Sequence, residues 1–598
     1  MKFFLGRYTQ KSSVPHPFRV LCEKGGKRRT STLPFKAVAL TALAITGMAA
    51  YPIAAQTTPA TPPAPPQQIQ PRQGQVIFSR TTDENGQTTT QSGPTAAPPI
   101  AGGDLAAPQV PERQAVTFTA FDLDVHLRPA EQHLAVRAQL TVRNDGKSPL
   151  TRIPLQLSSS LNWERIRVGT HDAVFQVATL NSDTDHTGQL HEAVVPLAQP
   201  LAPGKSLRVD AAYSGAIALS AQRLLAIGAP QDAALRTEWD QISLPFTGLR
   251  GLGNVVWYPA ASVPVLLGDG ARLFDEIGQH KLRLTGARFR LRLTVEFPHG
   301  QSPTVALING RAAPLTITVP NSLDQSQEVA SVAAADSGDT ILGFETPSLF
   351  VAIRTPHPGA NLTAWTHPED DLSQQFRTTA ATAVTPFLQR WLGQQPRSQL
   401  TQLDLPDPED APYETGSLLA VPLREAAPQS NLKSIPGSLN GILVHALTHA
   451  WLQSPAAQQP PPAWLNEGVA TFMGTMWVEK QRGREAALGT LEAERAALAL
   501  AEPESPGQSA GQPLAAAISP VYYRTKAAYV LWMLRDLAGD SALSAALRAD
   551  NPAPRGAFEK LLEATAGHPD LAWFFADWVD ADKGLPDLSI DGVFPTTA

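Results

Sequence analysis

Residues 441–451 run Gly-Ile-Leu-Val-His-Ala-Leu-Thr-His-Ala-Trp, apolar on nearly every face, a pattern that fits a helix packed inside a domain. His445 and His449 lie four residues apart and therefore share one face of that helix. An unpaired polar group in an apolar interior costs roughly a few kcal/mol, so two imidazoles projecting together need a partner. The proline run 460–462 then marks the start of a second expected helix, from about 463 to 480, which carries Trp464-Leu465-Asn466-Glu467-Gly468. Zn²⁺ takes neutral imidazole and carboxylate ligands, and a catalytic site uses three of them with a fourth position open. Glu467, 18 positions after His449, is the natural third ligand. The plain alternative is a pair of core histidines and a surface carboxylate near a helix start. The conjunction of an apolar helix, the i,i+4 pair and a glutamate on the next helix favours the metal.

These segments resemble the M1, or gluzincin, zinc metallopeptidases, the family of membrane alanine aminopeptidase. The family pattern is HExxH, 18 intervening residues and a glutamate in a WLNEG context; this chain has HALTHAW, 17 intervening residues and WLNEGVATFM. Lys526-Ala527-Ala528-Tyr529-Val530-Leu531-Trp532-Met533-Leu534-Arg535 is similar to the family's KGAxxLxML helix, which follows its transition-state tyrosine. The resemblance spans about residues 116–590. It implies an α+β multidomain chain: an amino-terminal β-rich domain, then a mostly helical thermolysin-like peptidase domain with a zinc cofactor and a peptide or protein as substrate or ligand.

The departures from that family fall on the groups that do chemistry. Ala446 stands where the family keeps the glutamate that acts as general base, a role worth roughly 10²–10⁴ in rate, and alanine takes no proton. The family's GxMEN strand, whose glutamate holds a free amino terminus, falls near residues 412–420, with Glu414 out of register. Position 474, where the family has an outer glutamate orienting the metal ligands, is glycine. The family tyrosine aligns with Arg524, so a one-residue slip makes Tyr523 or its neighbour Tyr522 the candidate donor to a developing oxyanion. The expectation is a zinc site, His445, His449 and Glu467, in a protein impaired or inactive as a peptidase. The alternative is an active aminopeptidase-like enzyme that uses another base, such as Glu414.

The remaining organisation follows from composition. The single cysteine, Cys22, lies in a basic leader with Lys24, Lys27, Arg28, Arg29 and Lys36, followed by an uncharged apolar run over 37–55. This is the layout of an export signal, expected over residues 1–55, and places the protein in the periplasm or outside the cell. The alternative is that 37–55 is retained as a membrane anchor, since about 20 apolar residues span a bilayer. Without the leader the chain holds 39 Lys and Arg against 53 Asp and Glu, a net charge of −14, which excludes nucleic acid as a partner. Residues 56–115, rich in Pro, Thr, Gln, Ala and Gly, suggest a flexible spacer. Apolar alternation then predicts strands through a β-rich domain at 116–345: Phe121, Leu123, Val125 and Leu127; Leu134 to Val142; Leu207 to Tyr213; Phe289 to Phe297. Helical patterns follow over 346–585, at 370–393, 438–453, 463–482, 484–501, 523–538 and 541–549, and 586–598 is a short tail.

Overall fold

Side chains alternate between the two faces of a strand, so a row of apolar residues at every second position turns one whole face inward. This period builds the amino-terminal half. Val116–Arg128 and His133–Asn144 pair antiparallel with Leu123 opposite Ala138 and Val125 opposite Val136. Ser206–Ala216 continues the sheet on one side with Val209 opposite Leu140. Arg288–Phe297 continues it on the other as a parallel neighbour, Leu291 beside Leu123. Phe121, Leu123, Val125, Leu127, Leu134, Val136, Leu140, Val209, Tyr213, Phe289, Leu291 and Leu293 are all buried in one core. The sheet has nine strands, and sheets of three and four strands stand beside it. At the first hairpin's far end Asn144 closes the turn: its amide donates to the carbonyls of Ser148 and Leu201, and its Oδ1 accepts from Gly146 N–H at 2.8 Å.

The computed structural model describes residues 79–82, 88–91, 108–319, 331–359, 361–367, 371–422, 437–452, 461–502, 511–549, 557–567 and 570–583. All of them belong to one compact unit, Ile69–Ala598. The leader with Cys22, the apolar run 37–55 and the tail 586–598 lie outside the described residues. Among the described residues no helix is long and apolar enough to cross a membrane. The segment expected to be a spacer is structured where it is described. Ser79–Thr82 pairs with Thr88–Gln91, and Val110–Ala115 is a short helix tied down by Arg113 on Glu192 at 2.7 Å and Glu112 on Arg152 at 2.9 Å. Those ion pairs are invisible to composition, because they join Arg113 and Glu112 to strands far along the chain.

The β-rich half also holds a 15-residue helix, Gly270–Leu284, which strand alternation did not foretell. It abuts the carboxy-terminal half, where a Cβ on Gly278 would meet the Ile518 carbonyl oxygen at 1.7 Å. Glycine is therefore what lets this helix approach so closely. The carboxy-terminal half is mostly helical, as expected, but opens with five strands in the order 355–358, 362–366, 400–404, 418–421 and 413–415. Tyr413–Thr415 pairs antiparallel on the outer edge of this sheet. A small core of Trp239, Phe246, Leu307 and Phe350 from the β-rich half with Leu403, Leu405 and Leu418 joins the two halves. Beyond the sheet come helices Asp371–Leu392, Gly437–Leu452, Ala463–Arg482, Arg484–Ala501, Ala527–Ala538, Asp540–Ala549, Ala557–Thr565 and Ala572–Trp578.

Candidate metal centre

The helix Gly437–Leu452 is sunk in the second core through Val444, Ala446, Leu447, Ala450 and Trp451. Its one polar face carries His445 and His449, whose ring centroids are 5.0 Å apart. Ala463–Arg482 packs against it, beginning directly after Pro462. Four residues of the Trp464–Gly468 block have separate tasks. Trp464 meets Phe558 edge-on in the core. Asn466 Oδ1, an acceptor, lies 3.1 Å from His449 Nδ1, so Nδ1 carries the proton and Nε2 presents its lone pair. Glu467 turns its carboxylate to the histidines. Gly468 allows contact with the helix Ala527–Ala538, since a Cβ there would lie 2.5 Å from Ala527 Cβ. On the other imidazole, Thr471 donates its hydroxyl to the Glu467 carbonyl and meets His445 Nδ1 at 3.5 Å, which leaves His445 Nε2 facing the carboxylates.

Two carboxylates approach the histidine pair. Glu467 Oε2 is 3.5 Å from His445 Nε2, and Glu467 Oε1 is 3.9 Å from His449 Nε2. Glu414, on the edge strand Tyr413–Thr415, puts Oε2 at 3.6 Å from His445 Nε2. Glu414, His445 and His449 each offer a ligand atom within 4.8 Å of the others. These separations are at or beyond the long limit of a hydrogen bond, and a tetrahedral ion with bonds of roughly 2.0–2.1 Å holds its ligand atoms about 3.4 Å apart. His445 Nε2 and Glu414 Oε1 are buried and have no hydrogen-bond partner. Orphaned buried polar atoms at this spacing are what a cation site presents without its ion. The residues fit zinc, with neutral nitrogen and carboxylate donors and Asn466 as an outer support.

Burial lowers His445 to about 4 and pulls His449 down as well, so both rings are neutral at physiological pH, the form that binds metal. Burial alone lifts the Glu467 carboxyl, but Arg524, His445 and His449 outweigh it and hold the group well below the usual carboxylate range. Burial pushes Glu414 up to about 8, with Arg524 opposing the rise and Glu467 adding to it. Lys281, on the helix Gly270–Leu284, lies over the Phe344 ring and is lowered first by burial. The charges of Glu467, Glu345 and Glu414 raise it and that of Arg524 lowers it further.

Among the described residues neither tyrosine hydroxyl is hydrogen-bonded to the cluster, although the charges of Arg524 and Glu467 act on Tyr523. Residues 521–526 form a π-helical turn, and its wider register aims Arg524, not a tyrosine, at the cluster. Arg524 Nε donates to Glu467 Oε2 at 2.7 Å. The Tyr522 hydroxyl donates to the Ala501 carbonyl at 2.7 Å, which occupies it as a packing residue. Tyr523 packs edge-on against Phe344, with ring centroids 5.0 Å apart. Gly474 has room: a Cβ would come no nearer than 3.7 Å to the Gly441 carbonyl oxygen. Ala446 is completely buried in the apolar core. Lys281, Thr471 and the role of Asn466 were missed by sequence reasoning. Only the position of Asn466 beside Glu467, on a helix facing the histidines, carried a usable signal.

No protein-family model and no curated protein matches this chain. Solved structures similar to it include the M1 zinc metallopeptidase from Deinococcus radiodurans, at 19% identity over 79% of this chain and 96% of that one, with a TM-score of 0.43. A glutamate-to-alanine mutant of that organism's M1 zinc metallopeptidase bound to a Tyr-Ser-Ala substrate matches at 19% identity over the same shares, with a TM-score of 0.41. A glutamate-to-alanine mutant of a two-domain M1 zinc metallopeptidase bound to L-arginine also matches at 19% identity and the same coverage, with a TM-score of 0.43.

Proposed function

We propose that this chain is an exported, zinc-binding relative of the M1 peptidases that holds peptides and does not cleave them efficiently. The observation that carries the reading is the convergence of His445 Nε2, His449 Nε2 and the Glu467 carboxylate at 3.5–3.9 Å, with a buried imidazole nitrogen left without a partner. His445, His449 and Glu467 would hold the ion, which supplies Lewis acidity when bound. The chain's own residues supply little else for hydrolysis. Ala446 offers no carboxylate, and the Tyr522 hydroxyl is bound to a carbonyl. Arg524 stands where the family has its oxyanion-stabilising tyrosine, and it is engaged with a ligand carboxylate.

Metal analysis of the purified full-length chain after zinc loading and gel filtration tests the reading. One zinc per chain is expected, and His449→Ala should lose it. A wild-type protein that holds no zinc after reconstitution would end the proposal. A peptide-library assay decides the second part: turnover at ordinary peptidase rates would favour the alternative, an aminopeptidase-like enzyme with Glu414 as its base. Fractionation tests export, for which recovery of the chain with its leader in the soluble cytoplasm is the contrary result.

A further inference from the structure

The zinc-site reading accounts for three donors and leaves Glu414 unexplained. Its strand, Tyr413–Thr415, lies on the sheet edge that faces the histidine helix, and Glu414 Oε2 stands at 3.6 Å from His445 Nε2. That distance matches the 3.5 Å between Glu467 Oε2 and the same nitrogen. Glu414 Oε1 is buried and accepts no hydrogen bond, so that oxygen lacks the donor that a buried acid needs. Arg524, whose charge acts on Glu414, spends its Nε on Glu467.

We propose that Glu414 is a fourth protein ligand, so that His445, His449, Glu467 and Glu414 together enclose one zinc ion and leave it no open position. This rests on the zinc-site reading above and goes further, because it assigns the centre to the closed, structural class instead of the catalytic one. Structural zinc sites are filled by four protein donors, whereas catalytic ones keep a place free. A closed centre has no use for a general base, and Ala446 supplies none. It also ties three separate elements together: the edge strand, the histidine helix and the helix Ala463–Arg482. The ion would fix the seam between sheet and helices.

Two measurements on the full chain test this, and they separate it from the underlying zinc reading. In the first, wild-type protein is loaded with Co²⁺ and its visible spectrum recorded with and without azide. The expected result is a four-coordinate spectrum that azide leaves unchanged; an azide-dependent shift reveals an open position and overturns the proposal. In the second, zinc affinity is measured by competition with a chromophoric chelator for wild type and Glu414→Gln. Loss of a direct donor should weaken binding by at least about 100-fold, above the 10–100-fold typical of an outer-shell partner, and Glu414→Gln loaded with Co²⁺ should now respond to azide. Equal affinity in Glu414→Gln and wild type overturns Glu414 as a ligand while His449→Ala still reports on the three-donor site. Absence of metal from wild type overturns both. The Co²⁺ spectrum needs no variant, so a misfolded Glu414→Gln does not remove the test.

Discussion

Asn466 and Arg524 touch the proposed ligands and not the ion they would hold. Asn466 fixes the tautomer of His449 by accepting from Nδ1 at 3.1 Å, and outer partners of this kind typically hold about 10–100-fold of metal affinity. Asn466→Ala should weaken zinc binding within that range while leaving one zinc per chain at saturation; unchanged affinity by chelator competition would refute the assignment. Arg524 neutralises Glu467 at 2.7 Å from a position 37% exposed to solvent. In the metal-free protein Arg524→Ala leaves a buried carboxylate without its cation. Stripping a fully buried pair costs roughly 3–5 kcal/mol, and solvent screening at Arg524 reduces that to about 1–2 kcal/mol. Zinc on Glu467 replaces the lost charge. Urea unfolding with and without zinc should show the loss only without it, and equal losses in both would contradict this account.

At the scale of elements, the site depends on how closely helices approach. Ala463–Arg482 touches Ala527–Ala538 through Gly468, where a Cβ would fall 2.5 Å from Ala527 Cβ. Gly468→Ala should therefore cost roughly 1–3 kcal/mol, the usual range for overpacking a filled core, in spite of alanine's better helix propensity. A gain in stability by chemical denaturation would show that the helices separate freely. The π-helical turn over 521–526 is the second such element. It sets which of three consecutive side chains meets Glu467. The family-like spacing pointed to Tyr522 or Tyr523, yet the wide turn delivers Arg524 and sends the Tyr522 hydroxyl to Ala501. Register of this kind is decided by hydrogen bonding between backbone groups and is not written in residue types.

For the whole molecule, the helix Gly270–Leu284 connects the β-rich half to the site. It carries Lys281, on which the charges of Glu467 and Glu414 act, and packs Gly278 on the Ile518 carbonyl oxygen. His280 on the same helix shares a hydrogen bond with the Tyr258 hydroxyl at 2.9 Å, and burial lowers it to about 3. Its folded-state pKa is depressed, so its share of stability is fully present above the unfolded value near 6.5. That share is lost as pH falls toward about 3, because the unfolded chain takes up a proton that the folded one refuses. Between those limits this one residue contributes up to about 1.4 kcal/mol of lost stability per pH unit. The pH dependence of the unfolding free energy should become shallower in His280→Gln over that window, and identical slopes in variant and wild type would rule it out.

What local periodicity controls was legible in the chain alone. The two-residue alternation from Phe121 to Leu127 and from Leu134 to Val142 placed those strands and their buried faces, because a strand has no other way to hide such a row. The apolar run around His445 and His449, with the block Trp464–Gly468, located two helices and brought two imidazoles and Glu467 to one place. Tertiary packing decided the rest. Glu414 reaches His445 only because its strand takes the sheet's outer edge, and Arg524 reaches Glu467 from a turn 57 residues further along the chain. Such neighbours are distant in sequence and meet through the packing of whole elements, so no motif or spacing could announce them.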